Sequence, residues 1–337
     1  MNHTNPDNLS AHLARIAQAR QAILAELRKL VVGQDEPVNQ VLTAMFAGGH
    51  CMLQGPPGTA KTLAIVSLAK VMDLDFKRIQ FTPDLMPSDI SGTEILEADQ
   101  TTGHRVTKFV KGPVFCNLLM ADEINRTPPK TQAALLEVMQ EKQVTIGGTT
   151  HALPKPFYVM ATQISMEQEG TYPLPEAQQD RFMLSVLMDY LPEDQEAQVV
   201  RQSTGFHQVT LEKIIDGAEL AGFVGAVRSV TLPPHLGEFI VNLTSATRPG
   251  VPGCPDFVKE YVSWGAGLRA SQNLALASKS AAALEGRSVV EFEDVQHIIN
   301  PVLRHRIGLS FRAEVDRVTI EDIIQRIVAT VPKPTHS

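Results

Sequence analysis

A chain of 337 residues, 43% hydrophobic and 20% charged, has room for about two domains with real cores and is neither a disordered tail nor a fibre. The net charge of -7 argues against a broad nucleic-acid footprint, which needs clustered Lys and Arg, so protein or small-molecule partners are expected and no nucleic acid. Cys51, Cys116 and Cys254 are too few and too scattered for a disulfide framework or a CxxC zinc site, and no apolar run nears the roughly 18 residues of a membrane span. These features predict a soluble, cytoplasmic protein without membrane insertion.

Leu13, Ile16, Ile23, Leu27 and Leu30 recur at helical spacing and predict a leading helix over 11–31. Cys51, Met52 and Leu53 form a short strand that ends in a Gly/Pro turn. A helix carrying Leu63, Ile65, Val66, Leu68, Ala69 and Met72 follows, then a second strand over 76–81. The run at 118–121 is apolar throughout, as in a strand buried on both faces, and leads directly into Asp122 and Glu123. Thr127 is placed as an N-cap and Pro128 as the first residue of a helix reaching about Gln140. Further strands are expected over 157–162 and 182–188. Beyond about residue 205 the β rhythm stops, and 210–228, 234–246, 255–263, 267–285 and 292–304 read as helices. The fold class is therefore α/β: a P-loop αβα core on a parallel sheet over 1–205, then an all-helical domain over 206–337.

Gly55, Pro56, Pro57, Gly58, Thr59, Ala60, Lys61 and Thr62 lie between a strand and a helix, where backbone N–H groups and the helix dipole hold anionic phosphate. Lys61 is expected to reach the β and γ phosphates of ATP, and Thr62 to ligate Mg²⁺. The strict pattern has Gly where Ala60 stands, and a methyl group is tolerated there provided Ala60 keeps a negative φ. Asp122, at the end of an adjacent strand, falls to the Mg²⁺ shell, which leaves Glu123 to polarise the attacking water.

With these residues the chain resembles the MoxR family of AAA+ ATPases, in the clade with an insert in helix 2. The likeness covers nearly the whole length. It is carried by Gln80-Phe81-Thr82-Pro83-Asp84-Leu85, Pro87-Ser88-Asp89-Ile90, Gly112-Pro113-Val114-Phe115, the stretches 121–126 and 128–137, and the distinctive run at 167–177. The resemblance implies that 206–337 is an α-helical lid and that Val32, Gly33 and Gln34 line the adenine pocket. It also implies that Arg181 is an arginine finger serving a neighbouring subunit and that Arg269 is the sensor-2 arginine. The stretch 90–112 is then the helix-2 insert, a hairpin projecting toward the ring's pore, and 142–156 a second hairpin before the sensor-1 strand. The implied assembly is a homo-oligomeric ring, a hexamer, acting as a chaperone or maturation factor on client proteins, with von Willebrand factor A domain proteins as the partner class.

Three positions depart from the family pattern. The sensor-1 Asn is replaced by Ile164, which has no polar atom to orient water, and Gln163 substitutes for it if the strand end is bulged. The usual Ser-Pro before Arg269 is Gly267-Leu268, and Glu291-Phe292 stand where Thr-Pro is usual. Ile164 supplies the alternative function, a nucleotide-gated scaffold with weak or absent hydrolysis. Arg304-His305-Arg306 reads as a solvated or subunit-facing surface, and Tyr261 and Trp264 as core. No HExxH or similar spacing among the His residues points to a structural metal.

Overall fold

The computed structural model describes residues 6–98, 105–164, 170–204 and 209–334. The 167–169 part of the family motif and the tip of the first insert at 99–104 lie outside the described residues. The chain enters through α1 (Pro6–Leu27) and α2 (Asp35–Ala47), then runs β1 (Cys51–Gln54), α3 (Lys61–Val71), β2 (Phe76–Gln80) and the short α4 (Pro87–Ser91). A hairpin of β3 (Gly92–Ala98) and β4 (Arg105–Lys111) precedes β5 (Leu118–Asp122) and α5 (Pro129–Glu141). A second hairpin, β6 (Gln143–Ile146) with β7 (Thr149–Ala152), leads into β8 (Tyr158–Thr162), α6 (Glu176–Gln179) and β9 (Leu184–Leu187).

β1, β2, β5, β8 and β9 form one parallel sheet in the order β2-β5-β8-β1-β9. Every residue of β5 and β8 is buried, as expected of strands covered on both faces. One face packs against α5, with Leu119, Val159, Leu135 and Phe182 in its core. The other face carries α1, α2 and α3, where the Tyr158 hydroxyl donates to Met45 O at 2.9 Å.

The rest of the chain is largely helical: α7 (Glu193–Ser203), α8 (Gly217–Arg228), α9 (Pro234–Ala246), α10 (Asp256–Tyr261), α11 (Leu268–Leu284), α12 (Phe292–Leu303), α13 (Phe311–Val315) and α14 (Ile320–Thr330). Phe223, Leu243, Leu274 and Ile299 continue the core on the α1 side of the sheet, so the helices pack directly onto it. An expectation of helices alone is corrected by a small ribbon, β10 (Val262–Trp264) with β11 (Gly308–Leu309). Here the run Val262-Ser263-Trp264 pairs with a glycine that the Trp264 indole covers so closely that a Cβ on Gly308 would lie 1.9 Å from its Nε1. Tyr261 and Trp264 are accordingly half-buried at the core margin.

The start of α5 also differs from expectation. Pro128 is the N-cap and Pro129 the first helical residue, because the Thr127 hydroxyl donates to Thr82 O at 3.0 Å and does not cap the helix. Thr131 likewise donates to Leu85 O, tying α5 to the segment between β2 and α4. The two hairpins pack on each other: the Phe109 and His151 rings stack with centroids 4.2 Å apart, and a Cβ on Gly147 would meet the Glu94 carboxylate at 2.0 Å.

Arg304-His305-Arg306 is not a solvated surface. The run lies where α12 meets the chain leading into β9, and Arg306 is 1% exposed. Its guanidinium donates to Asp180 Oδ1 (2.8 Å), Asp180 O (3.0 Å), Met183 O (3.1 Å) and Val302 O (2.6 Å). Arg304 donates to Ser185 O at 2.9 Å, and His305 Nε2 lies 3.0 Å from Phe182 O. Burial pushes the Arg306 pKa down to about 10, opposed by Asp180, so the group remains charged at neutral pH. The residues 180–185 are thus gripped by the helical part of the chain. Arg306→Met leaves the carbonyls of this clamp without a donor and is expected to cost about 3 kcal/mol or more. The shift of the urea midpoint measures this, and a loss under about 1 kcal/mol would contradict a buried clamp.

Candidate active site

The carboxyl ends of β1, β5 and β8 open on one side of the sheet, the usual place for a ligand in a parallel α/β sheet. Past β1 the chain turns sharply into α3. Gly55 has φ 144, and a Cβ there would lie 1.9 Å from Met188 O, so only glycine fits. Ala60 has φ 62, which corrects the expectation of a negative φ. The residue before Lys61 must take the left-handed conformation to turn the loop into the first turn of α3, at a cost of about 1 kcal/mol for alanine.

Lys61 Nζ donates to Gly55 O (2.9 Å), Pro56 O (2.6 Å) and Thr59 Oγ1 (3.1 Å). Its pKa is lowered by burial and partly restored by Asp122. Gly55, Pro56, Pro57 and Lys61 line a cavity of about 650 Å³ together with Asp122, Glu123, Gln54, Thr162, Gln163 and Ile164. Gly58, Thr59 and Ala60 complete the loop, and Thr62 stands second in α3 beside Lys61.

Asp122 and Glu123 are held by residues that the sequence did not single out. Asp122 accepts from the Thr162 hydroxyl and from Arg78, whose Nε lies at 3.0 Å. Glu123 has φ 56, and its N–H donates to Thr162 Oγ1 at 2.8 Å. Its carboxylate accepts from Gln80 and Arg126, both at 3.0 Å. One signal pointed to Arg78 and Gln80. Period-two alternation puts both on one face of β2, and Gln80 pairs in register with Asp122. Thr162 is found the same way, since Ala121 pairs with Ala161.

At the sensor-1 position the Asn125 side chain pairs with the Ile164 backbone, donating to its O at 3.0 Å and accepting from its N at 3.1 Å. β8 keeps a regular register with β1, so the bulge set as the condition for Gln163 to substitute is absent, and Gln163 nevertheless stands in the cavity wall. Gln54 Nε2 donates to Gln163 Oε1 at 3.0 Å.

Val32, Gly33 and Gln34 lie along the chain that follows β9. Gln34 Nε2 donates to Asp189 O at 2.9 Å, and a Cβ on Gly33 would lie 2.0 Å from Gln195 Oε1. Asp189 follows Met188, the residue packed on Gly55, so the three sit beside the loop although they do not line its cavity.

Arg181 and Arg269 are elsewhere. Cys51 pairs with Leu184 and Gln54 with Leu187, so Arg181, just before β9, lies at the opposite end of the sheet from the loop, beyond the roughly 10 Å that the paired strands span. Arg181 donates to Leu136 O at 2.6 Å, and Arg269 donates to Asp180 Oδ2 at 3.1 Å. Both line a second cavity of about 670 Å³ with Gly49, His50, Met183 and Lys279, and it shares no residue with the first. His50 is buried there, its Nδ1 accepting from Val159 N at 3.0 Å. Burial, then the Lys142 charge, holds its pKa down at about 4 against the opposing Met139 carbonyl.

Among the described residues no group of three His, Cys, Asp or Glu is placed to hold a metal ion. The first cavity presents the Asp122 and Glu123 carboxylates and the Thr162 hydroxyl, hard oxygens that suit Mg²⁺ when phosphate oxygens and water complete the shell, whereas Thr62, the expected hydroxyl ligand, is not in its lining.

Residues 50–184 match the family model described as ATPase family associated with various cellular activities (AAA), and 256–327 match the AAA lid domain. Chaperone MoxR1 of Mycobacterium tuberculosis is 40% identical over 333 residues, 98% of this chain and 87% of that protein. Protein MoxR of Methylorubrum extorquens is 29% identical over 92% of this chain and 93% of its own length. A solved protein of Cytophaga hutchinsonii is 42% identical with a TM-score of 0.87, covering 97% and 98% of the two chains.

Two predictions concern the backbone and the buried imidazole. Ala60→Gly relieves the left-handed alanine and is expected to stabilise the protein by up to about 0.6 kcal/mol after the glycine's unfolded-state entropy is subtracted. A lower urea midpoint in the variant would contradict this. His50 has a folded pKa below its unfolded value, so the unfolded chain binds the extra proton. Stability is then full above about pH 6.5 and falls as the pH drops toward about 4. His50→Asn keeps an acceptor for Val159 N–H and is expected to flatten the pH dependence of the urea midpoint between 6.5 and 5. An unchanged slope would place the titration elsewhere.

Proposed function

The chain belongs to the MoxR family of AAA+ ATPases, and from that membership we propose that it couples Mg²⁺-dependent ATP hydrolysis to remodelling or maturation of partner proteins. The observation that carries this reading is the cavity in which Gly55, Lys61, Asp122 and Glu123 converge. The loop N–H groups and the start of α3 bind the phosphates, and Lys61 exchanges its loop oxygens for the β and γ phosphates. Thr62 and Asp122 are the protein's oxygen donors to Mg²⁺, which supplies charge neutralisation across those phosphates when bound. Glu123 takes the proton of the attacking water, with its backbone fixed by Thr162.

Orientation of the water falls to Gln163, whose amide group sits in the wall beside Ile164. The scaffold reading rested on Ile164 having no polar atom to orient the attacking water, and it is not favoured, because the Gln163 amide stands beside it in the same wall.

Arg181 and Arg269 line a cavity at the other end of the sheet, so the nucleotide they serve is one held by a second copy of the chain. This supports a ring in which each site is completed by its neighbour, a hexamer on family grounds. Clients are proteins, in keeping with a relative named as a chaperone, and von Willebrand factor A domain proteins are the partner class we favour. Three buried, unpaired cysteines fit a cytoplasmic setting, and no helix among the described residues is long and apolar enough to cross a membrane.

Steady-state ATPase assays test the scheme. Lys61→Ala and Glu123→Gln are each expected to lower turnover by at least about 10², and Arg181→Ala by about 10³. Mixing Arg181→Ala with Glu123→Gln pairs an intact site with an intact guanidinium across some interfaces, so turnover recovers. Failure to recover would sink the assignment across subunits. Ile164→Asn is expected to change turnover by less than about tenfold, and a gain near 10² would revive the scaffold.

A further inference from the structure

Asp180 is the only carboxylate among the described residues that is ion-paired to Arg306, and it is also paired to Arg269. The two partners differ in freedom. Arg306 is fully buried and fixed by backbone carbonyls, and it holds both the Asp180 carboxylate (Oδ1, 2.8 Å) and the Asp180 carbonyl (3.0 Å). Arg269 stands second in α11, its side chain 44% exposed, with one hydrogen bond to Asp180 Oδ2 at 3.1 Å. A long, half-exposed arginine has many rotamers, and here a carboxylate that is itself immobilised selects one of them.

That rotamer places Arg269 on the wall that also carries Arg181, the next residue after Asp180. Arg181, Arg269 and Arg306 against Asp180 give three positive charges and one negative, a local excess of two. The repulsion of Arg269 by Arg306 is one of the influences lowering the Arg306 pKa, and the shared carboxylate stands between them. Without Asp180, the buried cation would push Arg269 away from the cavity.

We infer that Asp180 is a positioning residue: anchored by Arg306, it holds Arg269 beside Arg181 so that both guanidinium groups meet the same phosphate. This rests on the reading of Arg269 as a phosphate-contacting group in the neighbouring site. The competing possibility is a plain ion pair that joins helices to sheet and affects only stability.

A double-mutant cycle on the full-length chain separates them, with kcat, KM for Mg-ATP and the melting temperature measured for wild type, Asp180→Asn, Arg269→Ala and the double variant. Asp180→Asn is expected to lower kcat about tenfold, the loss that follows when an oriented group is set loose, with KM within about twofold. The double variant is expected to be no slower than Arg269→Ala alone, and Asp180→Glu to restore part of the loss. Should Asp180→Asn fail to fold, Asp180→Glu with and without Arg269→Ala runs the same cycle. Equal losses of kcat in both backgrounds, or a change in melting temperature alone, overturn the inference while leaving Arg269 in its role. Unchanged turnover in Arg269→Ala overturns the role of Arg269, and the inference with it.

Discussion

Parallel pairing of β1 with β8 on one side and β9 on the other decides where the candidate groups end up. β5 runs parallel to them as well, so the turn after β1, the acidic pair at the close of β5 and the hydroxyl ending β8 arrive at one end of the sheet. The same direction sends the residues that precede β9 to the other end. A molecule built this way separates the loop and acidic pair of the first cavity from Arg181 and Arg269 in the second. Under the proposed function, a second molecule would bring its opposite end to the first, and assembly would then be a requirement of catalysis and not an accessory to it.

Local chemistry was the most legible in the sequence. The loop from Gly55 to Thr62 and the pair Asp122-Glu123 are contiguous, and their meaning follows from the strand that precedes each. Alternation of short apolar runs with helices was enough to give the αβα layers. Groups whose role depends on partners distant in sequence were illegible. Arg306 reads as a surface charge until Asp180, 126 residues earlier in the chain, is brought against it. Thr127 was read as a helix cap, yet its hydroxyl goes to Thr82, 45 residues away. The small ribbon at Val262 was missed because three residues are too few to show a period.

Two non-glycine residues of the loop and acidic pair lie in the left-handed region, Ala60 at φ 62 and Glu123 at φ 56. Each costs on the order of 1 kcal/mol, and each is held by its surroundings: the Gly55 turn packed under Met188, and the Thr162 hydroxyl on the Glu123 N–H. Such departures from local preference are expected where function sets the backbone. The neutral, buried His50 and the charged, buried Arg306 play the opposite part at the far end, where satisfied hydrogen bonds keep the residues around Arg181 in one arrangement.

The two hairpins are locked together by the Phe109–His151 stack and by the close approach of Gly147 to Glu94. At the root of the first, Gly92 and Gly112 are in contact so tight that a Cβ on either would fall within 2.3 Å of a carbonyl oxygen. Thr127 and Thr131 fasten the chain between Glu123 and α5 to the chain that leads into that root. A lever with two prongs riveted to each other and a narrow pivot swings as one piece. A displacement at that root would therefore carry the described parts of both hairpins together.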